Sequence, residues 1–203
     1  MNSSDLFYIR KLQLIFFYKN NDIIYKLFFF EQHLFNLPIN IDEILVINIK
    51  LKWLEDEIKK FNKLNPIVNN LSTLIESNEK KNLINLVLNF SEILNEDNEI
   101  KLIKKVQKFS KIFNNIIRKN SKGSKFFETS FFSQLIFFLY NSRLIKKFDF
   151  EYFKSLYRLM DKSKFDIFEV VFLDIFFKRN DYKELKIKKV EYLLRLFFRF
   201  LND

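Results

Sequence analysis

One glycine, Gly123, and two prolines, Pro38 and Pro66, are the only glycine and proline punctuation in 203 residues. A sandwich or barrel of many short strands needs frequent turns, and tight turns draw on those residue types. The same scarcity excludes phosphate-cradling and dinucleotide loops, which need several glycines to let a ligand approach the backbone. What remains is a chain of long segments, and 48% hydrophobic with 30% charged residues makes it globular rather than disordered. The length suits one domain over residues 1–203.

Two further counts restrict the chemistry. With no cysteine, disulfides, thiolate metal sites, iron–sulfur clusters and a cysteine nucleophile are excluded. His33 is the only histidine, which rules out a multi-histidine metal site and leaves a serine–histidine triad without support. It lies beside a Phe-rich face and reads as a surface or satisfied core residue. The net charge of +10 is weak evidence for nucleic acid, because the excess of Phe, Ile, Asn, Lys and Leu is what AT-rich coding over-uses.

Helical periodicity runs almost throughout. Ile44, Ile47, Leu51, Leu54, Ile58 and Phe61 are spaced 3, 4, 3, 4 and 3 apart, one face of a helix, with Pro38 and Asn40–Asp42 before it and Asn65–Pro66 after it. Further helices are expected at about 5–18, 22–36, 67–77, 79–95, 98–119, 126–141, 149–160, 164–179 and 186–201, joined by short polar connections. No apolar stretch reaches the roughly 18 residues of a membrane span. The first 20 residues mix Asp5 and Arg10 into an amphipathic pattern, without the apolar core and cleavage site of a secretory leader. The expectation is one all-α antiparallel bundle.

Lys50-Leu51-Lys52-Trp53-Leu54-Glu55-Asp56-Glu57-Ile58 resembles the Arg-Leu-Gln-Trp-Trp-Arg-Asp-Ala-Leu-like string that squalene/phytoene synthases carry on a core helix. Leu51, Trp53, Asp56 and Ile58 match in kind, and Lys50 stands where the family has arginine. Tyr25 through Leu34 resembles the family's helix upstream at the right spacing, and Asp5 with Phe7-Tyr8 its opening helix. Asn65–Val68, Asn89–Glu92, Gln134–Arg143, Phe168–Phe177 and Val190–Phe200 are looser matches, so the resemblance spans nearly the whole chain. It implies a shortened isoprenoid-synthase bundle.

Active members of that family condense two isoprenoid diphosphates, using two facing Asp-x-x-x-Asp motifs that hold magnesium. Carboxylates four apart share a helical face, and magnesium prefers such oxygen ligands together with phosphate oxygens. Here Asp-x-x-x-Asp occurs nowhere, and Glu92 with Glu96 is the only acidic pair at that spacing. The first motif would begin near Phe35 and Asn36, and the second would lie near Tyr140–Leu144; neither stretch offers an acid. The chain therefore resembles the family's non-catalytic branch, which includes the mitochondrial respiratory complex I assembly factor. That implies a binding or assembly role at a membrane complex, with no cofactor and an isoprenoid or lipid as the candidate ligand. A divergent magnesium-dependent synthase is the enzymatic alternative, and a small structural or lipid-binding protein the third.

Lys50, Trp53, Asp56 and Arg143 are the motif candidates. Trp53 either fills a large core volume or lines a remnant prenyl cavity; Asp56 pairs with a nearby lysine or lines the same cavity; Arg143 pairs with an acid across the bundle. The signal that owes nothing to the family is a basic stripe, in which Lys101, Lys104, Lys105, Lys108 and Lys111 lie opposite Ile103, Val106, Phe113 and Ile116–Ile117. Such a stripe suits an anionic membrane surface or an acidic protein, and Lys188, Lys189, Arg195 and Arg199 repeat it. Nucleic acid is disfavoured because the aromatics fall on apolar faces instead of interleaving with the basic residues. The expected location is cytoplasmic and peripheral on the inner membrane face, with the mitochondrial matrix as the alternative.

Overall fold

A computed structural model describes residues 4–121, 127–144, 148–178, 182 and 189–202. The connections expected at Gly123–Ser124 and Asn180–Asp181, and Lys188 of the second basic stripe, lie outside the described residues. The described chain is all-helical: α1 (Ser4–Phe16), α2 (Asp22–Asn40), α3 (Ile44–Lys60), α4 (Pro66–Asn70), α5 (Ser72–Leu74), α6 (Lys80–Leu94), α7 (Glu99–Asn120), α8 (Phe131–Asn141), α9 (Phe150–Arg158), α10 (Ile167–Phe177) and α11 (Lys189–Asn202). None of these helices is long and apolar enough to cross a membrane.

Helix starts are written in side chains that bond orphan N–H groups. Asn21, Asn65, Asn98, Ser130, Asp149 and Asp166 cap α2, α4, α7, α8, α9 and α10 through their side-chain oxygens. Helix ends show what a chain poor in glycine does instead. Lys19, Asn20, Phe61, Asn78 and Arg143 take left-handed backbone with φ of 49 to 66°, the region that glycine enters at no steric cost.

Several boundaries differ from the sequence reading, the start of α10 at Ile167 instead of 164 among them. α2 continues through Pro38 to Asn40, and side chains bond carbonyls of its last turns: Asn141 donates to the Phe35 oxygen at 2.8 Å and Asn40 to that of Asn36 at 3.3 Å. The helix expected from 126 starts only at Phe131. Thr129 is held outside it, with its N–H and hydroxyl both donating to the Asn114 side chain at 2.7 and 2.9 Å, and Ser130 becomes the cap. Between α5 and α6 the backbone widens over Ile75–Glu79 and turns at Asn78.

Neighbouring helices are antiparallel where their contacts can be ordered. Asn48 with Asn95, and Lys80 with the Lys59 carbonyl, pair α3 with α6. Lys105–Glu96, Lys108–Glu92 and Lys119–Glu79 pair α6 with α7, and Arg10–Glu169 with Gln13–Asp166 pairs α1 with α10. α10 and α11 depart from this pattern: Tyr192 meets Phe168, then Arg199 meets Asp174, so the contacts advance in the same direction along both helices. The core is one cluster of buried apolar side chains to which all of α1–α11 contribute.

Candidate functional site

The basic face of α7 forms because the buried positions Leu102, Ile103, Val106, Phe109, Phe113, Ile116 and Ile117 turn its other residues outward. The five lysines are not equivalent. Lys105 is bound to Glu96 at 2.7 Å and Lys108 to Glu92 at 3.1 Å, so the acidic pair spaced four apart on α6 and its C-terminal end serves α7. Burial raises the Glu92 carboxyl, but bonds from Lys108 and Asn89 and the nearby lysine charges together outweigh it and hold it below the usual carboxylate range; Lys105 and the Asn98 N–H hold Glu96 there as well. Lys101, Lys104 and Lys111 are exposed and form no ion pair among the described residues.

The family-motif candidates lie elsewhere, and they do not converge. Trp53 is 54% exposed on the outer face of α3, so the core reading of this residue fails. The buried stripe of α3 is set by Ile47, Leu51, Leu54 and Ile58, and Trp53 falls well to the side of it. Lys50 is exposed on the same helix. Asp56 pairs with Lys52 at 3.5 Å and Lys59 at 4.0 Å, as its structural reading expects. Arg143 meets Asp42 at 3.1 Å in an exposed pair that ties the end of α8 to the connection between α2 and α3. His33 is half-buried, and its ring is biased toward the neutral form by burial and then by the charge of Lys50.

The two stretches where the aspartate motifs would lie do meet, through the Asn141 side chain and the Phe35 carbonyl. Phenylalanine fills the interior beside them. The Phe35 ring contacts Phe90 and Phe109 at 5.2 and 5.5 Å, Phe90 contacts Phe138 at 6.2 Å, and Phe109 continues through Phe113 to Phe28. These edge-on, tilted and stacked contacts pack the volume without polar atoms.

A second interior, made of charge, lies where α1, α2, α8 and α10 meet. Arg10 is fully buried; it donates through Nε and Nη2 to both oxygens of Glu31 at 2.7 and 2.9 Å. Its Nη1 donates to Gln13 Oε1 at 3.0 Å and to Glu169. Glu169 also accepts from the Ser130 backbone and the Ser133 hydroxyl, Glu31 accepts from Gln134 at 2.6 Å, and Gln13 donates to Asp166. Three buried carboxylates thus surround one guanidinium. Burial pushes Glu169 up to about 7 against the pull of Arg10, and it raises Asp166 as well. The carboxylates of Glu31 and Glu169 outweigh burial at Arg10 and hold it protonated.

The sequence reading missed this cluster, although one signal was present. Arg10, Glu31 and Glu169 each interrupt an otherwise apolar helical face. The guanidinium occupies the space between the carboxylates, and no group of three His, Asp or Glu among the described residues is placed to hold a metal ion. Two cavities among the described residues lie elsewhere: about 470 Å³ beside Tyr25, Phe29, His33 and Pro66, and about 400 Å³ over Ser110, Lys111, Asn114 and Arg118. Neither is lined by Lys50, Trp53, Asp56 or Arg143. No known protein family, curated protein or solved structure matches the chain.

Proposed function

We propose that the chain is a non-catalytic binding protein, related to the branch of the squalene/phytoene synthase family without aspartate motifs, that docks on an anionic membrane surface through the outer face of α7. The observation carrying this reading is the set of three exposed lysines, Lys101, Lys104 and Lys111, that form no ion pair among the described residues. A lysine beside an anionic leaflet contributes about 1 kcal/mol, and the net charge of +10 reinforces the attraction at low salt. The non-catalytic part is supported by the missing Asp-x-x-x-Asp motifs and by the phenylalanines packed beside their expected positions. The family relationship rests on the Trp53 string, its spacing, and the contact between Phe35 and Asn141.

Flotation with phosphatidylserine-containing vesicles tests the docking. Reversing Lys101, Lys104 and Lys111 to glutamate should weaken binding by at least roughly 100-fold, at about 1 kcal/mol for each lysine lost. Reversing the carboxylate-bound Lys105 and Lys108 should cost less. Binding left unchanged by the triple reversal would overturn the reading, as would magnesium-dependent pyrophosphate release from farnesyl diphosphate by the purified protein.

A further inference from the structure

α3 is apolar on two faces. Ile47, Leu51, Leu54 and Ile58 are buried against the bundle. Leu45, Ile49 and Trp53, spaced four apart, form a second stripe on the outer face and are 71, 60 and 54% exposed. Ile44 adds to it at the start of the helix. On α6 the exposed Leu88 comes level with residues 51–55, given the register set by Asn48 with Asn95 and Lys59 with Lys80. A soluble helix gains nothing from exposing a tryptophan and two aliphatic residues in one row, and a patch of this kind marks an interaction surface.

We propose that this stripe is the contact of a homodimer in which α3 packs antiparallel on α3 of a second copy, with Ile49 of each copy against Trp53 of the other. The occupant is identified by the symmetry of the helix itself. In an antiparallel pair about a two-fold axis, residue i faces residue j when the two numbers have a fixed sum. Pairing Ile49 with Trp53 centres the axis at Leu51. The same centre brings Asp42 opposite Lys60 and Glu43 opposite Lys59, so the acidic start of one helix meets the basic end of the other. Each facing pair has one member without an ion pair among the described residues, Lys60 and Glu43, while Asp42 already meets Arg143 at 3.1 Å and Lys59 is bound to Glu55. Lys52 is held by Glu55 at 2.9 Å and by Asp56, leaving the flank of the stripe close to neutral. A partner of uniform charge, such as a lipid headgroup layer, would match one end and oppose the other.

The area suffices for a specific pair. The five side chains expose on the order of 500 Å² per copy, hence about 1,000 Å² for a dimer, at the lower edge of specific interfaces. Tryptophan is also the residue type most enriched at the energetic centre of such contacts. The α7 lysines do not enter this argument, so the dimer and the membrane reading can fail separately.

Trp53 is the only tryptophan of the chain, so its fluorescence reports the contact directly. On concentrating the 203-residue chain, sedimentation should move from the 25.0 kDa monomer to the dimer, with a parallel blue shift of emission. Ile49→Asp, at an exposed position, should leave the circular dichroism unchanged and raise the dimer dissociation constant by at least about tenfold. Lys60→Glu and Asp42→Lys should each weaken the dimer and together restore it. Because the chain lacks cysteine, an equimolar mixture of Asp42→Cys and Lys60→Cys proteins should cross-link under oxidation while neither protein does so alone. A monomer at all concentrations up to roughly 0.1 mM overturns the proposal. So does a dimer indifferent to Ile49→Asp, or an Ile49→Asp effect confined to vesicle binding.

Discussion

The bundle has two interiors that solve burial in opposite ways. Around Phe35, Phe90 and Phe109 the volume is filled by rings, whose stability comes from area removed from water and is indifferent to pH. Around Arg10 four helices converge on a guanidinium, three carboxyl groups and the side chains of Gln13, Ser133 and Gln134. Each polar atom there must find a partner or cost its desolvation, and the Gln134 Oε1 finds none. The ring cluster tolerates small errors of shape. The charge cluster specifies which faces of α1, α2, α8 and α10 meet, because no other register pairs Arg10 with both Glu31 and Glu169. It is a register device held at the edge of electroneutrality.

The largest expected effect breaks this contrast outright. Arg10→Met leaves Glu31, Glu169 and Asp166 buried without their cation and should cost about 4 kcal/mol of unfolding free energy at pH 8. The loss should shrink toward pH 5 as the stranded carboxyl groups take up protons. Phe109→Ala, in the other interior, should cost about 3–4 kcal/mol through a cavity and lost transfer energy, equally at both pH values. Paired urea titrations at pH 5 and pH 8 decide the matter: equal pH dependence for the two variants would show that the two regions do not differ in kind.

A smaller effect sharpens the comparison without removing any group. Glu169 is held up at about 7 in the fold, against its ordinary value of 4.5. A raised acid binds more protons folded than unfolded, so its contribution is complete below the unfolded value and is lost as pH rises through about 7. Between pH 5 and 8 the unmodified protein should lose roughly 3 kcal/mol of stability from this group. The raised Asp166 acts in the same sense, and His33 acts in the opposite one. The carboxylates lowered by partners, such as Glu92 and Asp174, matter only at lower pH, where protonating them removes stability. In Glu169→Gln the loss between pH 5 and 8 should flatten. Its absolute stability falls because an amide cannot accept every bond that Glu169 accepts, so the slope is the measurement.

The ring interior was legible in the sequence because its signal is periodic. The spacing of Ile47, Leu51, Leu54 and Ile58, or of Val106, Phe113 and Ile117, marks a buried face from one helix alone. The charge interior was not legible, because Arg10 and Glu169 are 159 residues apart and no local pattern links them. Trp53 misled for a related reason. Two apolar stripes share α3, and periodicity states that a face is apolar but not whether this chain or another molecule covers it. The lysines of α7 were legible as a stripe; their division into bound and unbound members needed the position of Glu92 and Glu96 on the neighbouring helix and its end.

The smallest effect concerns how the ring-filled half is joined. α6 starts where Asn78, exposed and at φ 66°, turns the chain out of α5. A residue with a Cβ is strained in the left-handed region, by about 1–2 kcal/mol for most types and less for asparagine. Asn78→Gly should therefore raise stability by about 0.5 kcal/mol, or 1–2 °C in melting temperature for a chain of this length. Asn78→Ala should lower it by about 1 kcal/mol, and neither change should depend on pH. The sign difference between the two carries the argument. If glycine and alanine shift stability alike, the backbone at this joint relaxes out of the left-handed region, and the placement of α6 against α3 comes from packing alone.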